Sequence, residues 1–157
     1  LEFVIMFPLI IMIFCTAFEA AVLSVRQVML NVAVEDVTRE LRIASGFGVT
    51  HDRLVDTICD SAVIFPDCQN AISVELAPVD TDTWNVERSA MNCNDRSGGF
   101  TPAQEFAPGT GNSLMMVRIC AVFKPVFPHV GLGAKLTRVS DEDYAIVAAS
   151  AFANEPI

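Results

Sequence analysis

Few side chains in this chain could do catalytic chemistry. His51 and His129 are its only histidines, and no GxSxG, HExxH or phosphate-binding loop motif occurs. His51 stands beside Asp52 at a predicted helix start, where an acidic residue suits the helix dipole without any catalytic role. No cysteine or serine has a recognisable base partner. We therefore predict that the protein is not an enzyme and that it uses no cofactor.

Two clusters of carboxylates are candidates for calcium binding. They are the segments DTDTW at 80–84 and DEDY at 141–144, and calcium prefers oxygen ligands of this kind. Neither segment matches the EF-hand pattern, and hydrated acidic loops are far commoner than calcium sites. The cysteines also lack the CxxC-type spacing of zinc sites, so no metal site is predicted. Trp84 and Phe100 are either contact residues or aromatic side chains packed into the core.

The five cysteines divide into one and four. Cys15 lies in an apolar stretch, where a cysteine is usually a small buried hydrophobe. The other four form an even set in a small region, which indicates disulfides and an oxidising compartment. Four cysteines allow three connectivities. We favour local pairing, with Cys59–Cys68 tying the second helix to the first strand and Cys93–Cys120 tying a long loop to the central strand.

The N-terminal segment LEFVIMFPLIIMIFCTAFEAAVLSVRQ predicts a membrane span. Its apolar run at 3–25 has 23 residues, about 35 Å as a helix, which is enough for a hydrocarbon core of about 30 Å. Arg26 follows the run, no small-residue cleavage site precedes a polar start, and the helical pattern continues. We therefore predict a retained anchor rather than a cleaved signal. Glu2, Pro8 and Glu19 interrupt the run, although a simple anchor needs none of them.

The helical pattern continues past the apolar run. Apolar residues recur every three or four positions and line one face: Leu30, Val34, Val37 and Leu41. Charged residues occupy the other positions, and the pattern ends at glycines in the segment 44–48, which can close a helix. We predict one helix of about forty residues, with a transmembrane part at 1–25 and an extracytoplasmic continuation at 26–45.

The remaining residues, 46–157, predict a small head. A second helix is expected near 51–64, with Thr50 as its N-cap. Three segments have the composition or alternation of strands: AISVELAPV, SLMMVRICAVFKPVF and DYAIVAASAFANEP. Residues 80–112 are rich in Thr, Asn, Asp, Gly and Pro, which is typical of a long loop. Helices followed by strands indicate an α+β fold, in which a sheet packs on the far half of the long helix.

The charge distribution excludes one class of partner. Residues 1–44 carry three arginines against five acidic residues, and residues 45–157 carry seven basic against fourteen acidic residues. The formal net charge is −9, of which −7 lies in the second part. Because nucleic-acid phosphates favour Lys and Arg, we do not expect nucleic acid to be a partner.

Both ends of the chain resemble a known family. The TadE-like minor pilins, or pseudopilins, of tight-adherence (Tad/Flp-type) type IV pili pair a Glu-Phe near the start of the apolar span with a proline a few residues later. They have a second Glu near the far end of the span. The matching residues here are Glu2, Phe3, Pro8 and Glu19. Members also tend to close on a strand ending in NEP, and this chain closes SAFANEPI.

The resemblance implies a pilin-like fold and a precursor cut by a prepilin peptidase upstream of Leu1. The partners would be other major and minor pilins, bound through the N-terminal helix, and the inner-membrane assembly platform. The protein would wait in the bacterial inner membrane with a periplasmic head and then enter an adhesive pilus at the cell surface. The alternative is a permanently membrane-anchored periplasmic binding module that holds a ligand or a surface.

Each interruption of the span then has two interpretations. A carboxylate inside the span costs about 2.5–3.5 kcal/mol, so it is expected to have a partner. Glu2 either pairs with the free N-terminal amine of a neighbouring subunit or stays hydrated at the headgroup level. Glu19 either pairs with Arg26 of another helix or lies in the opposite interface. Pro8 removes a backbone hydrogen bond and either opens the helix or is a tolerated kink.

Overall fold

Within the part of the chain that the structure describes, one long helix carries a head of two short helices and a three-stranded sheet. The structure is a computed structural model, and it describes residues 2–44, 49–61, 67–82, 91, 93, 106, 107, 109, 112–139 and 142–154. The predicted α+β arrangement of a long N-terminal helix, a further helix and a three-stranded antiparallel sheet is confirmed.

The long helix α1 comprises Glu2–Ala44, which is 43 residues or about 64 Å. Pro8 lies inside α1 without ending it, although proline has no backbone N–H to donate to the preceding turn. The hydroxyls of Thr16 and Ser24 each donate to the carbonyl four residues earlier, which satisfies these polar groups on an apolar helix. The prediction of a single helix of about forty residues is confirmed.

Two short helices follow α1. The first, α2, comprises His51–Ser61, and the rest of the helix predicted near 51–64 lies outside the described residues. Thr50 accepts a hydrogen bond on its hydroxyl from the backbone N–H of Arg53, with an N···O distance of 3.4 Å, as expected of an N-cap. The second, α3, comprises Cys68–Ala71 and is a single turn that the sequence pattern does not predict.

The sheet is antiparallel, with strand order β1-β2-β3. The strands comprise Ile72–Pro78 (β1), Leu114–Phe123 (β2) and Tyr144–Ala153 (β3). All three predicted strands are present, and β2 ends shortly before Pro125, whose ring suits an exit from a strand. The register places Glu75 directly opposite Arg118.

The core lies between α1 and one face of the sheet. α1 packs mainly on β3 and β2, and α2 packs on α1 and β1. Large, fully buried side chains come from both helices and from the strands, among them Leu30, Val37, Leu41, Leu54, Ile58, Ile72, Leu76, Ile119 and Phe123. The apolar positions that predict one face of the long helix are therefore the positions that α1 contributes to the core.

Described residues of the predicted long loop at 80–112 contact the sheet away from α1. Cys120 on β2 is bonded to Cys93 of this loop. At the edge of β1, the backbone N–H of Ala107 donates to the carbonyl of Leu76, with an N···O distance of 2.9 Å. The loop thus covers part of a strand edge that would otherwise expose unpaired backbone groups. Trp84 and Phe100, which belong to this loop, lie outside the described residues.

Candidate membrane and assembly interface

One face of α1 is taken up by the head. Its residues are buried or half-buried and recur every three or four positions: Glu19, Leu23, Arg26, Leu30, Val34, Val37 and Leu41. Since an α-helix turns once every 3.6 residues, these positions fall on one side of the cylinder. The head therefore covers one side of α1 from Glu19 to Leu41.

The opposite face of α1 stays exposed and apolar. It consists of residues that we call the free seam: Phe14, Phe18, Ala21, Val25, Val28 and Val32. Val25, Val28 and Val32 are 50%, 59% and 49% exposed. The steps along the seam alternate between four and three residues, which is the heptad spacing by which one α-helix packs on another. The next positions in the same series, Glu35 and Arg39, are charged and end the seam.

The start of α1 projects beyond the head. An 18-residue stretch of α1 is apolar and long enough to cross a membrane, and only 6% of it is buried inside the molecule. The large apolar side chains between Phe3 and Phe14 are 43% to 76% exposed. A contiguous apolar surface of this extent indicates contact with lipid or with another protein.

Three of the sequence-predicted residues lie at the start of α1. Glu2 begins α1, but its side chain lies outside the described residues, so its pairing with a neighbouring amine stays a prediction. Phe3 stacks on Phe7 of the same helix, with ring centroids 5.7 Å apart. Phe3 and Pro8 are both exposed on the part of α1 that projects beyond the head.

Glu19 has its partner inside the same chain. Its side chain is fully buried, and its two carboxylate oxygens accept the backbone N–H groups of Val126 and Phe127, with N···O distances of 3.2 and 2.9 Å. Two such charge-assisted hydrogen bonds offset the cost of burying the carboxylate. The sequence left open Arg26 of another helix or the opposite membrane interface, and within its own chain Glu19 is paired with the backbone instead.

The two donors to Glu19 belong to a loop that we call the strap, residues 124–136 between β2 and β3. Phe127 packs edge-on against Phe18, with ring centroids 5.9 Å apart. Gly131 comes so close to Thr16 that a Cβ on the glycine would lie 2.3 Å from the threonine Oγ1, and its φ of 59° also disfavours a side chain. The strap therefore extends the head onto residues that the sequence assigned to the membrane-spanning part.

Arg26 connects α1 to the ends of two strands. Its Nη1 donates to the hydroxyl of Tyr144 and to the carbonyl of Lys124, and its guanidinium lies 4.7 Å from the ring centroid of Phe123. Burial raises the pKa of Tyr144, and the neighbouring Arg26 opposes that rise. Within its own chain Arg26 thus fastens the head to α1, whereas the sequence suggested a role for it between helices.

Both disulfides of the locally paired arrangement are present. Cys59–Cys68 has a Cα–Cα distance of 5.8 Å, and Cys93–Cys120 has one of 5.6 Å. The first bridge joins α2 to α3 rather than to the first strand, because Cys68 lies in the short helix that precedes β1. Cys15 is a free cysteine and is half-buried.

A buried ion pair on the sheet was missed by sequence reasoning. Arg118 on β2 donates from Nη2 to Oε1 of Glu75 on β1, with an N···O distance of 2.6 Å. The two side chains are 17% and 11% exposed. A charged residue in each of two predicted strands was the only available signal, and the strand register is needed to bring them together.

The residues considered for catalysis and metal binding have local contacts. His51 lies edge-on to Phe106, with ring centroids 6.2 Å apart, and its Nδ1 is 3.4 Å from Oδ1 of Asp52. In the first acidic cluster, Oδ1 of Asp80 accepts the backbone N–H of Asp82, as in an Asx turn. No group of three or more His, Cys, Asp and Glu side chains that could hold a metal ion occurs among the described residues.

No family model, no curated protein and no solved structure matches the chain. The function therefore has to be inferred from α1 and from the contacts that surround it. Two features carry that inference. They are the apolar part of α1 that projects beyond the head and the free seam that continues alongside it.

Proposed function

We propose that the protein is a minor pilin of the TadE-like type. Its N-terminal helix would be assembled into a Tad/Flp-type pilus used in surface adhesion, which the subunit enters, initiates or caps. Before assembly the protein would be held in the bacterial inner membrane with its head in the periplasm, where disulfides such as Cys93–Cys120 are stable. It acts without catalysis, and its partners are other pilins, the prepilin peptidase and the assembly platform.

The observation that carries this proposal is the free seam. A permanent anchor needs apolar surface only where lipid surrounds the helix. Val25, Val28 and Val32 lie further along α1, at the level of the sheet. The adjacent Gln27 marks this level, since its Nε2 donates to the carbonyl of Val147 on β3 with an N···O distance of 3.3 Å. An exposed apolar seam at that level, in register with the apolar part of α1, suits a second helix rather than lipid.

The apolar surface of the free seam is large enough to stabilise packing against a second helix. Burying the exposed halves of its three valines would contribute about 2 kcal/mol per contact, and the phenylalanines would add to this. Glu2 is proposed to fix the axial register by pairing with the N-terminal amine of a neighbour, which would offset the cost of a carboxylate in the span. Pro8 would leave an unpaired carbonyl in the same region, open to local rearrangement during packing.

Val28→Glu tests the proposal because it places a charge in the centre of the free seam, on the side of α1 away from the head. We expect the variant to be absent from sheared pili while it accumulates in the membrane with both disulfides formed. Val147→Glu is the matched control, since Val147 is 45% exposed on β3 and lies outside the seam. That control should enter pili normally.

Normal incorporation of Val28→Glu into pili would contradict assembly through the free seam. A membrane-anchored binding module predicts a different pattern. The parent protein itself would then be missing from sheared pili and would stay in the inner membrane.

A further inference from the structure

We propose that the strap, residues 124–136, is a second membrane contact that docks on the surface of an anionic phospholipid bilayer. The inference rests on the membrane anchoring of α1, which is one part of the proposed function, and it does not depend on pilus assembly. It concerns the state of the protein before extraction from the membrane.

The position of the strap on α1 places it next to lipid. Gly131 contacts Thr16, and Phe127 contacts Phe18. The helix residues that precede these contacts, 3–15, are all apolar and project beyond the head. Lipid that surrounds α1 as far as Thr16 therefore reaches the strap, while Val25, Val28 and Val32 lie above the bilayer surface.

The exposed side of the strap combines apolar and basic side chains. Val126 and Val130 are 43% and 41% exposed, and Lys135 is exposed on the same loop. Apolar side chains that a soluble head leaves in water gain free energy when lipid covers them.

Several backbone groups of the strap are hydrogen-bonded within the molecule, which lowers their cost of approaching lipid. Glu19 accepts the backbone N–H groups of Val126 and Phe127, and its own carboxylate is fully buried. The carbonyl of Leu132 accepts the backbone N–H of Lys135, with an N···O distance of 2.8 Å. These hydrogen bonds fix the backbone on which the strap presents Val126 and Val130.

The charge of this segment selects anionic lipid. The strap contains both lysines of the chain and no acidic residue, in a protein whose formal net charge is −9. Lys124 pairs with Glu142, with an N···O distance of 2.6 Å, and Lys135 is exposed. Basic side chains at this level attract anionic headgroups, whereas the rest of the acidic head is repelled by them.

Depth-dependent fluorescence quenching tests the proposal on the full chain in vesicles. In a Trp84→Phe background, which removes the only native tryptophan, single tryptophans are introduced as Val126→Trp and Val130→Trp. Lipids brominated just below the headgroup should quench both in phosphatidylglycerol vesicles. Ala151→Trp, exposed on β3, is the control that should not be quenched, and Ile10→Trp reports insertion of α1.

The outcomes separate the strap from the anchor. Quenching of Ile10→Trp without quenching of Val126→Trp and Val130→Trp would overturn strap docking and leave anchoring intact. Absence of quenching at Ile10→Trp would overturn anchoring, and the docking inference with it. Quenching of Ala151→Trp as strong as that of the strap would show that the whole head lies on lipid without a specific contact, which also overturns the proposal.

A second variant tests the lipid class. Lys135→Gln removes one basic charge from the strap, and the ratio of docked to undocked strap should fall roughly fivefold in phosphatidylglycerol vesicles. The same substitution should have no effect in phosphatidylcholine vesicles, where docking is weaker from the start. Equal quenching of Val126→Trp in the two lipids would overturn the assignment to anionic phospholipid.

Discussion

Glu19 and Arg26 are the two charged residues by which α1 holds the near end of the head. Glu19 accepts two backbone N–H groups from the strap, and Arg26 donates to the hydroxyl of Tyr144 at the start of β3. Both lie on the face of α1 that continues as apolar core further along. The same face of α1 therefore contacts the head by hydrogen bonds near Glu19 and Arg26 and by apolar packing from Leu30 onward. The three- or four-residue spacing of the contacting positions is the same in both parts.

Glu19→Ala is expected to lower the free energy of unfolding of the head by about 3 kcal/mol, because two partly buried N–H groups lose their acceptor. Glu19→Gln keeps one acceptor and should lose roughly half as much. Chemical denaturation of the full chain in detergent, followed by near-UV circular dichroism, measures both losses. Glu35→Ala, at an exposed position of α1, should stay within about 0.5 kcal/mol of the parent. Equal losses for Glu35→Ala and Glu19→Ala would refute the strap contact.

Tyr144 makes the head sensitive to alkaline pH. Its pKa is raised in the folded state, chiefly by burial, so the folded protein holds this proton more tightly than the unfolded chain. The stabilising contribution is complete below the unfolded pKa of about 10. It is lost as the pH rises through the higher folded pKa. We therefore expect the free energy of unfolding to fall above about pH 10.

A spectroscopic titration checks this directly, because Tyr144 is the only tyrosine. Tyrosinate absorbance should appear at a higher pH in the folded protein than in denaturant. Arg26→Met removes the group that opposes the rise of the pKa, so its midpoint should move higher still. A midpoint that stays in place or falls in Arg26→Met would be incompatible with the contact between these two residues.

At the scale of elements, α1 has two different faces. One face forms the core with the sheet, and the free seam on the opposite face is exposed and apolar. β1 and β2 are joined both by their backbone ladder and by the pair of Glu75 with Arg118, which lies on the sheet face away from α1. The stability of the sheet can therefore be tested by substitutions that leave the free seam unchanged.

The ion pair between β1 and β2 gives such a test. Arg118→Met leaves Glu75 buried without its cation and should cost about 3–5 kcal/mol of unfolding free energy. The double variant with Glu75→Met removes both charges and should regain most of that loss. Arg53→Met is the control, because Arg53 is 64% exposed in its pair with Glu40 and should cost less than about 1 kcal/mol. Urea denaturation measures all of these changes, and a double variant no more stable than Arg118→Met would argue against the pair.

At the scale of the whole molecule, one long helix joins an apolar segment to an acidic, disulfide-linked head. The head covers one side of α1 as far down as Thr16, where the strap ends the contact. The core and the exposed apolar residues of α1 thus lie on different surfaces of the same helix. This separation leaves the apolar surface free for the lipid and helix contacts that we propose.

Much of the fold follows from sequence because the relevant signals are local. The spacing of Leu30, Val34, Val37 and Leu41 predicts a helix whatever packs on it. The runs rich in β-branched residues predict the strands, and the alternation in β1 also predicts its buried face. Local disulfide pairing is predictable for a similar reason, since Cys59 and Cys68 are near one another along the chain. The short helix α3 is not predictable from these patterns, because a single turn has no periodicity to detect.

The partners of the charged residues were decided only by the tertiary structure. Glu19 is separated from Val126 by 107 positions, and Arg118 from Glu75 by 43 positions. Hydrogen bonds between residues so far apart in sequence depend on strand register and on the path of the strap. Neither of these produces a periodic pattern in the sequence. The sequence by itself determined that α1 is long, that its start is apolar, and that one face of its second half packs on the head. Only the fold decided that its second carboxylate belongs to the head, because backbone donors from a distant loop reach it there.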